Sequence, residues 1–378
     1  MNTGHGLSSI EQVPVIDLEA EEKVLIDQIY GACSRFGFFQ VVNHGINADL
    51  IDRYREQCRE FFEGLDLKHK RASKRSADNA RGFFDDELTK QRRDWKEALD
   101  GGMPFSRDWA LPDRDPLNAG LDGYNQFPST AILPHFRDTF VEYFQACEKL
   151  SDRLAVLMAR ALGAHGDEAL VRDLRAHHTS YLRTNFYPMC PNENNNSIDS
   201  PLGISPHNDA GFLTVLLQDN DCHSLQVYLR ETDEWSTVHP LPNALTINTG
   251  DMAQVWSNGR YQAPSHRVLT NPNQVRYSAP FFYNPGYETW VQPLQATDSG
   301  IEEPDFYHPI LWGYFRAARF AGDFTDLGIE IQISDYETSR VDSSPHRQLQ
   351  KVFVREGWCR RPFSADAYRE LLKITQCP

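Results

Sequence analysis

The spacing of apolar residues changes along this chain, and the change predicts two kinds of structure. Between residues 133 and 163 apolar side chains recur at steps of three and four, which is the period of an amphipathic helix. These positions are Phe136, Phe140, Phe144, Cys147, Leu150, Leu154, Leu157 and Ala161. After Thr179, short β-prone runs alternate with polar turns. The pattern therefore predicts a long helix against which a strand-rich half can pack.

The strand-rich half contains about eight runs that have the length and composition of strands. They cover residues 180–187, 211–217, 225–229, 235–239, 244–248, 252–256, 266–270 and 275–283. So many short strands with polar turns favour a double-sheet jelly roll. We therefore predict an α+β, mainly β protein, in which a cupin-like double-stranded β-helix is flanked by N-terminal and C-terminal helices.

The flanking segments predict three regions. Residues 1–130 form a mixed α/β region, with strands at 13–17 and 38–42, helices at 25–36 and 47–66, and mostly loop from 70 to 130. Residues 131–340 form the jelly-roll core, with a further helix near 312–320. Residues 341–378 form an extension with a helix candidate at 365–373. Three roles are open for this extension: a cap on the active site, a self-association surface or a solvated tail.

Composition narrows the class of protein. The 378 residues carry a net charge of -15, which argues against a nucleic-acid-binding surface. Seven scattered cysteines without CxxC spacing indicate free thiols in a reducing compartment. The sequence contains neither an apolar run of membrane-spanning length nor a recognisable secretion signal. We expect a cytoplasmic protein, most simply a monomer, with a small-molecule substrate and neither nucleic acid nor membrane as a partner.

Two histidines and one aspartate have spacing that suits a metal. His207 and Asp209 are two positions apart, so on a strand both side chains would point to one face. His266, on a separate predicted run, would supply a third ligand. Two imidazoles and one carboxylate on one face of an octahedron leave positions open, as in non-haem Fe(II) oxygenases. The prediction is an Fe(II) site, with these three residues as metal ligands and catalytic centre.

The pair His207 and Asp209 is weak evidence when taken alone, because 13 histidines make some such pairs by chance. His177 and His178 are adjacent, so on a strand they would point apart. His223 lies in a polar turn, and nothing in the spacing of His239 requires a metal. None of these four competes with the triad.

Arg276 and Ser278 follow His266 after a predicted turn at Asn271-Pro272-Asn273. A hairpin folded about residue 271 would place Arg276 opposite His266, one strand away. A guanidinium fork and a hydroxyl suit a carboxylate that is held at a distance from the metal. Taken alone, Arg276 favours a surface position at a sheet edge. Beside the triad, we interpret it as the anchor of an anionic cosubstrate.

Several motifs in fixed order resemble one known family, the plant-type Fe(II)/2-oxoglutarate-dependent dioxygenases, which share the isopenicillin N synthase fold. The resemblance runs from about Val13 to Tyr336. The matching segments are 37–45, 183–188, 207–216, 248–251, 256–259, 265–268 and 276–282. Two departures are modest: Asn208 stands where threonine is common, and Ser224 stands where glycine usually precedes the leucine.

The resemblance implies a role for each of these residues. His207, Asp209 and His266 would hold Fe(II). Arg276 and Ser278 would bind the distal carboxylate of 2-oxoglutarate, with Tyr187 and Asn185 beside it. Oxygen would be the second cosubstrate, and ascorbate a possible supporting reductant. The reaction implied is hydroxylation or desaturation of a small organic metabolite, coupled to decarboxylation of 2-oxoglutarate to succinate and carbon dioxide.

The substrate is not specified by these motifs. Phe282, Phe186 and parts of the segment 80–100 are candidates for the pocket wall, although the two phenylalanines are equally compatible with core packing. Two other classes remain as alternatives: an iron oxidase of the same fold that does not use 2-oxoglutarate, and a non-catalytic jelly-roll binding protein, its triad vestigial or filled by zinc. A zinc hydrolase is disfavoured because no HExxH motif supplies a general base.

Overall fold

A computed structural model of the chain describes residues 12–76, 79–89, 92–102, 123–164, 169–191, 201–219, 221–294, 304–324, 331–339 and 345–360. The helices in these ranges are Glu22–Arg35 (α1), Ala48–Phe62 (α2), Leu67–Arg71 (α3), Phe136–Ala161 (α4), Ala169–His177 (α5), Asp251–Trp256 (α6), Trp312–Phe324 (α7) and Pro345–Arg355 (α8). None of the helices described here is both long enough and apolar enough to cross a bilayer.

Sixteen strands accompany these helices in the described ranges. They are Val15–Asp17 (β1), Phe38–Val42 (β2), Gly82–Phe84 (β3), Leu88–Thr89 (β4), Arg92–Arg93 (β5), Glu97–Gly102 (β6), Tyr181–Tyr187 (β7), Leu202–His207 (β8), Leu213–Gln218 (β9), Leu225–Leu229 (β10), Glu234–Thr237 (β11), Leu245–Thr249 (β12), His266–Leu269 (β13), Arg276–Tyr283 (β14), Trp290–Val291 (β15) and Ile310–Leu311 (β16).

Two sheets form the core. The major sheet has the order β1-β2-β12-β9-β14-β7-β6-β3, and the minor sheet has the order β11-β10-β13-β8. Apolar side chains of the two sheets meet between them, among them Tyr187 and Leu216 from the major sheet and Val227 and Val268 from the minor sheet. This double-sheet core confirms the predicted jelly roll.

The predicted long helix is confirmed as α4, which packs against α1, α2 and the outer face of the major sheet. Phe144 of α4 meets Phe281 of β14 edge to face, with ring centroids 4.9 Å apart. Because side chains alternate along a strand, the neighbours of Phe281 on β14 face the opposite way, toward the minor sheet. Arg276, Ser278 and Phe282 are on that inner face. The helix layer thus fixes which side chains point into the sandwich.

Two predicted elements are wrong. Residues 252–256, predicted as a strand, form most of α6, which begins at Asp251 after an extended Gly250. A short apolar run fits a buried strand and a buried helix equally well, so periodicity alone does not distinguish them. Residues 70–130, predicted as mostly loop, contain β3 to β6, and β6 pairs with residues 181–186 of β7.

The C-terminal elements pack on the core as far as residue 360. Gln350 of α8 accepts a hydrogen bond from the backbone of Leu311 at 3.1 Å and donates one to the carbonyl of Pro309 at 3.0 Å. His346 contacts the hydroxyl of Tyr314 on α7, with 2.8 Å between Nδ1 and Oη. Part of the extension is therefore docked, while the predicted helix at 365–373 lies outside the described residues.

Candidate active site

The three predicted metal ligands come together at one end of the sandwich. His207 and His266 pair across β8 and β13, and their ring centroids are 4.3 Å apart. The Nε2 atoms of His207 and His266 lie 3.8 and 3.6 Å from Oδ1 of Asp209. One ligand atom from each residue lies within 4.8 Å of the other two. Among the described residues this is the one cluster of its kind.

Asp209 reaches the site by a different route from the one predicted. His207 is the last residue of β8, so Asp209 lies in the turn beyond the strand and not on it. The backbone N–H of Asp251 donates to the carbonyl of Asp209 at 2.8 Å. Gly250 packs so closely there that an added Cβ would lie 2.8 Å from the same carbonyl oxygen. The start of α6 therefore holds the turn in place.

Each imidazole is oriented through its other nitrogen. The Nδ1 of His207 lies 2.8 Å from the carbonyl of Ser205, and the Nδ1 of His266 lies 3.3 Å from the carbonyl of Pro264. A carbonyl accepts only, so the proton belongs on Nδ1, and the lone pair of Nε2 faces Asp209. This tautomer is the one a metal requires at Nε2.

Two further residues, which the sequence did not identify as functional, orient the carboxylate of Asp209. Thr214 Oγ1 and Asn248 Nδ2 donate to Oδ2 of Asp209 at 2.6 and 2.7 Å. Oδ1 therefore remains directed at the two imidazoles. Both residues lie inside the matching segments 207–216 and 248–251, which was the available signal.

Burial and charge set the protonation of this cluster. Burial lowers the pKa of His207, and the neighbouring His266 lowers it further. For Asp209, burial acts to raise the pKa, but His266, His207 and the hydrogen bonds from Thr214 and Asn248 outweigh it, so the pKa is lowered. At neutral pH His207 is thus neutral and Asp209 is charged, as ligands of a divalent cation must be.

The guanidinium of Arg276 is buried and has hydrogen-bond donors without partners among the described residues. Its side chain is in the inner face of the major sheet, 2% exposed, with the guanidinium carbon 4.8 Å from the ring centroid of Tyr187. Its Nε and Nη1 atoms are buried and have no hydrogen-bond partner among the described residues. Ser278 accepts a bond from Asn185 Nδ2 at 3.3 Å, and Oδ1 of Asn185 is also unsatisfied there. Buried donors without partners are costly, so the arrangement fits an anionic ligand.

The predicted hairpin between His266 and Arg276 is wrong. β13 belongs to the minor sheet and β14 to the major sheet, where β14 pairs with β7 and β9. Arg276 therefore faces the sandwich interior from the opposite sheet. A turn sequence shows where the chain bends, but not whether the next strand pairs or crosses to the other sheet.

Comparison with known proteins supplies the family. A family model described as "2OG-Fe(II) oxygenase superfamily" matches residues 178–285, and one described as "non-haem dioxygenase in morphine synthesis N-terminal" matches residues 13–130. Jasmonate-induced oxygenase 2 of Arabidopsis thaliana is 33% identical over 311 residues, which cover 80% of this chain and 78% of that protein. The chain belongs to the 2-oxoglutarate and Fe(II)-dependent oxygenase superfamily.

Solved structures agree with this family. The oxygenase resembles the crystal structure of JOX2 in complex with 2OG, Fe and JA, with 33% identity, a TM-score of 0.68, and coverage of 81% of this chain and 84% of that one. It is also similar to the crystal structure of the dioxygenase for auxin oxidation in rice, at 26% identity and a TM-score of 0.62, over 82% and 95% of the two chains. The predicted family, the predicted enzyme class and the predicted cofactors, Fe(II) and 2-oxoglutarate, are confirmed.

The two predicted pocket phenylalanines of the oxygenase are on opposite faces of the major sheet. Phe186 is wrong as a pocket residue because it faces the helix layer, stacked on Phe62 of α2 with ring centroids 5.6 Å apart. Alternation along β7 determines this, since Asn185 and Tyr187 are on the inner face. Phe282 is on the inner face and stacks on Tyr181, with centroids 4.6 Å apart. Phe282 therefore stays a candidate for the pocket wall.

Other histidines of the oxygenase are away from the triad. His178 Nε2 lies 2.8 Å from Oε1 of Glu148 on α4. His223 and His239 are exposed and contact each other, with ring centroids 4.9 Å apart. The side chain of His177 lies outside the description.

A buried charge network lies near the metal cluster in the oxygenase, where the backbone N–H of Ser205 on β8 donates to Oδ1 of Asp94 at 3.3 Å. Lys96 Nζ lies 2.6 Å from Glu87 and 3.2 Å from Asp94. Arg183 of β7 grips Asp100 of β6 with Nε and Nη2 at 2.8 and 2.9 Å, and reaches Glu87 with Nη1 at 3.0 Å. The spacing of these residues does not predict the network, because the contact between Arg183 and Asp100 depends on the pairing of β6 with β7.

Proposed function

We propose that His207, Asp209 and His266 hold the Fe(II) of this oxygenase and that Arg276 and Ser278 bind the distal carboxylate of 2-oxoglutarate. The observation that carries the second half is the buried guanidinium of Arg276, whose Nε and Nη1 lack partners among the described residues. A carboxylate is an anionic acceptor that would give such buried donors charge-assisted hydrogen bonds.

The donor set fits iron for reasons of geometry and charge. Two imidazole nitrogens and one carboxylate oxygen converge from one side. That arrangement leaves positions for a chelating cosubstrate and oxygen. A structural zinc site would instead want a fourth protein ligand, and no fourth histidine, cysteine or carboxylate joins the cluster within the described residues.

The chain's own residues bind, orient and exclude water. Fe(II), when bound, supplies oxygen activation coupled to decarboxylation of 2-oxoglutarate, which leads to oxidation of a substrate C–H bond. Thr214 and Asn248 hold the Asp209 carboxylate so that Oδ1 faces the two histidines. Tyr187 packs against the Arg276 guanidinium and keeps it in the dry interior of the sandwich. Asn185 fixes the hydroxyl of Ser278 from the neighbouring strand.

The substrate is a small organic metabolite, and the finer assignment is a proposal. JOX2 has been crystallised with JA. We propose that this chain also oxidises a small molecule, by hydroxylation or desaturation, and that Phe282 lies in the wall of its pocket. A cytoplasmic location, a monomeric state and the closer likeness to isopenicillin N synthase stay predictions.

The test begins with metal-free protein. Fe(II) is added without oxygen, 2-oxoglutarate is titrated, and the visible spectrum is followed for the weak charge-transfer band of a chelate. We expect the band in the wild type and in Arg355→Ala, whose arginine is exposed on α8, but not in Arg276→Ala. Iron binding without a band in the wild type, or a band that persists in Arg276→Ala, would contradict the assignment of Arg276 as the anchor. No iron binding would refute the triad.

A further inference from the structure

Asn208 stands between two of the proposed ligands, and its side chain bonds to a part of the chain that is distant in sequence. Its Nδ2 donates to the carbonyl of Ala263 at 2.6 Å. Its own backbone carbonyl accepts a hydrogen bond from Nη2 of Arg319 on α7 at 2.9 Å. The middle residue of the turn between His207 and Asp209 is therefore held through both its side chain and its backbone.

Ala263 belongs to the segment that presents the third ligand, His266. The carbonyl of the next residue, Pro264, lies 3.3 Å from Nδ1 of His266 and orients that ring. The backbone N–H of Ala263 donates to Oε1 of Gln254 on α6 at 2.7 Å. The segment is thus held at Ala263 from two sides, by α6 through the N–H and by Asn208 through the carbonyl.

Helix α6 completes a ring of contacts that joins the two ligand-bearing segments. Its first residue, Asp251, donates its backbone N–H to the carbonyl of Asp209 at 2.8 Å. Gln254 lies about one helical turn further along α6. The ring therefore runs from Asn208 through Ala263, Gln254 and Asp251 to Asp209. Because Ala263, Gln254 and Asp251 are buried, water competes little for these hydrogen bonds.

The bond that closes the ring depends on the length of the Asn208 side chain. Threonine, which the family commonly has at this position, carries its hydroxyl where asparagine has Cγ. From the same backbone that hydroxyl would lie about 3.5 Å from the carbonyl of Ala263, beyond the usual O–H···O range of about 2.5–3.0 Å. Asn208 therefore supplies a contact that the common residue would not supply from this position.

We propose that Asn208 is a positioning residue of the Fe(II) site, which fixes the 3.6 Å separation between Oδ1 of Asp209 and Nε2 of His266. Asn208 acts through the backbone of the two ligand-bearing segments and is not itself a ligand. The inference rests on the proposed function, because it takes the three ligands as assigned there. It extends that function by making the geometry of the site depend on a residue in which this chain departs from its family.

The test compares how tightly the folded apoprotein binds Fe(II) with and without this bond. Fe(II) is titrated by calorimetry, in the absence of oxygen, into metal-free wild type, Asn208→Thr and Asn208→Leu. Leucine keeps the approximate shape of asparagine without its donor. We expect both variants to bind Fe(II) about ten- to hundredfold more weakly, the usual cost of losing a residue that orients a ligand. Asn273→Leu, at an exposed asparagine in the turn before β14, is the matched control and should keep the wild-type affinity.

A second readout separates positioning from stability. A residue that only stabilises the fold would lower the melting temperature of the apoprotein and leave the metal affinity of the folded protein unchanged. Co(II) in place of Fe(II) has visible absorption bands that respond to ligand geometry, and we expect altered bands in both Asn208 variants and wild-type bands in Asn273→Leu. Wild-type Fe(II) affinity or an unaltered Co(II) spectrum in either folded variant overturns the proposal. Asn208→Thr keeps the test decisive if Asn208→Leu does not fold.

Failure of this proposal is distinguishable from failure of the proposed function. A wild type that does not bind Fe(II) contradicts the assignment of the three ligands. A wild type that binds Fe(II) and gives the 2-oxoglutarate band, beside an Asn208→Thr variant that binds Fe(II) equally well, contradicts only the role of Asn208.

Discussion

Thr214 on β9 donates its hydroxyl proton to Oδ2 of Asp209, at 2.6 Å, and so decides which oxygen of the carboxylate faces His207 and His266. Thr214 is buried in the major sheet, whereas Asp209 lies in a turn that follows the minor sheet. The bond thus ties the cluster to both sheets.

Removing this hydroxyl should weaken metal binding without disturbing the fold. Thr214→Val keeps the shape of the side chain, and we expect the affinity for Fe(II) to fall by about ten- to hundredfold, the usual cost of losing a residue that orients a ligand. An anaerobic Fe(II) titration measures it. Thr237→Val, on β11 of the minor sheet, is the control, and an unchanged affinity in Thr214→Val would show that Asn248 alone suffices.

Asp209→Ala should abolish both iron retention and turnover. The substitution leaves two imidazoles, which hold a divalent ion poorly without the carboxylate. Metal content after gel filtration and succinate production give the two readouts. Asp52→Ala, at a side chain on α2 that is 76% exposed, should retain both. Normal iron content and activity in Asp209→Ala would contradict the triad.

Arg276→Met should separate stability from function. The wild-type guanidinium has buried donors without partners in the described residues, so an apolar side chain of similar length should leave the melting temperature of the apoprotein unchanged or raise it. The stabilisation that 2-oxoglutarate gives the Fe(II) protein should disappear. Thermal melts with and without 2-oxoglutarate measure both effects. A destabilised apoprotein that still responds to 2-oxoglutarate would reassign the anchor.

Glu87→Gln should destabilise the fold by about 3–5 kcal/mol at pH 7, because it leaves the buried charges of Arg183 and Lys96 without their shared carboxylate. Urea unfolding measures the loss, and Glu142→Gln, whose side chain is 52% exposed, is the control. A loss in Glu87→Gln no larger than in this control would mean that the network contributes no stability.

The same variant has a predicted pH dependence. Burial acts to raise the pKa of Glu87, but Arg183, Lys96 and Arg75 outweigh it, and the pKa is lowered on folding. A carboxyl whose pKa is lowered on folding stabilises the folded state at pH values above its unfolded pKa of about 4.3, and that stability is lost as the pH falls toward the folded value. The difference in the free energy of unfolding between wild type and Glu87→Gln should therefore become smaller below about pH 4. A difference that grows below that pH would contradict the lowered pKa of Glu87.

The sequence predicted the fold and the metal cluster well because both depend on local patterns. The period of the α4 segment and the alternating runs after Thr179 specify a helix and a set of strands. His207, Asp209 and His266 are recognisable because their residue types are uncommon together. Asp209 was nevertheless placed on a strand, since a two-residue spacing does not reveal where the strand ends.

The remaining features depend on which strands become neighbours. Arg276 was expected in a hairpin with His266 but crosses to the other sheet. Phe186 was expected in the pocket, yet the alternation of β7 turns it toward α2. Arg183 and Asp100 lie far apart in sequence and form their ion pair only because β6 pairs with β7. The local periodicity of apolar residues does not specify such long-range pairings.

The strand order of the major sheet determines which fragments of this protein can fold. The first 102 residues supply both margins of that sheet, with β1 and β2 on one side and β6 and β3 on the other. A fragment that begins at residue 131 would expose the flanks of β12 and β7, two templates for aggregation. The segments 13–130 and 178–285, although matched by separate family models, should therefore behave as one cooperative unit, and the first would not be exchangeable between relatives as a module.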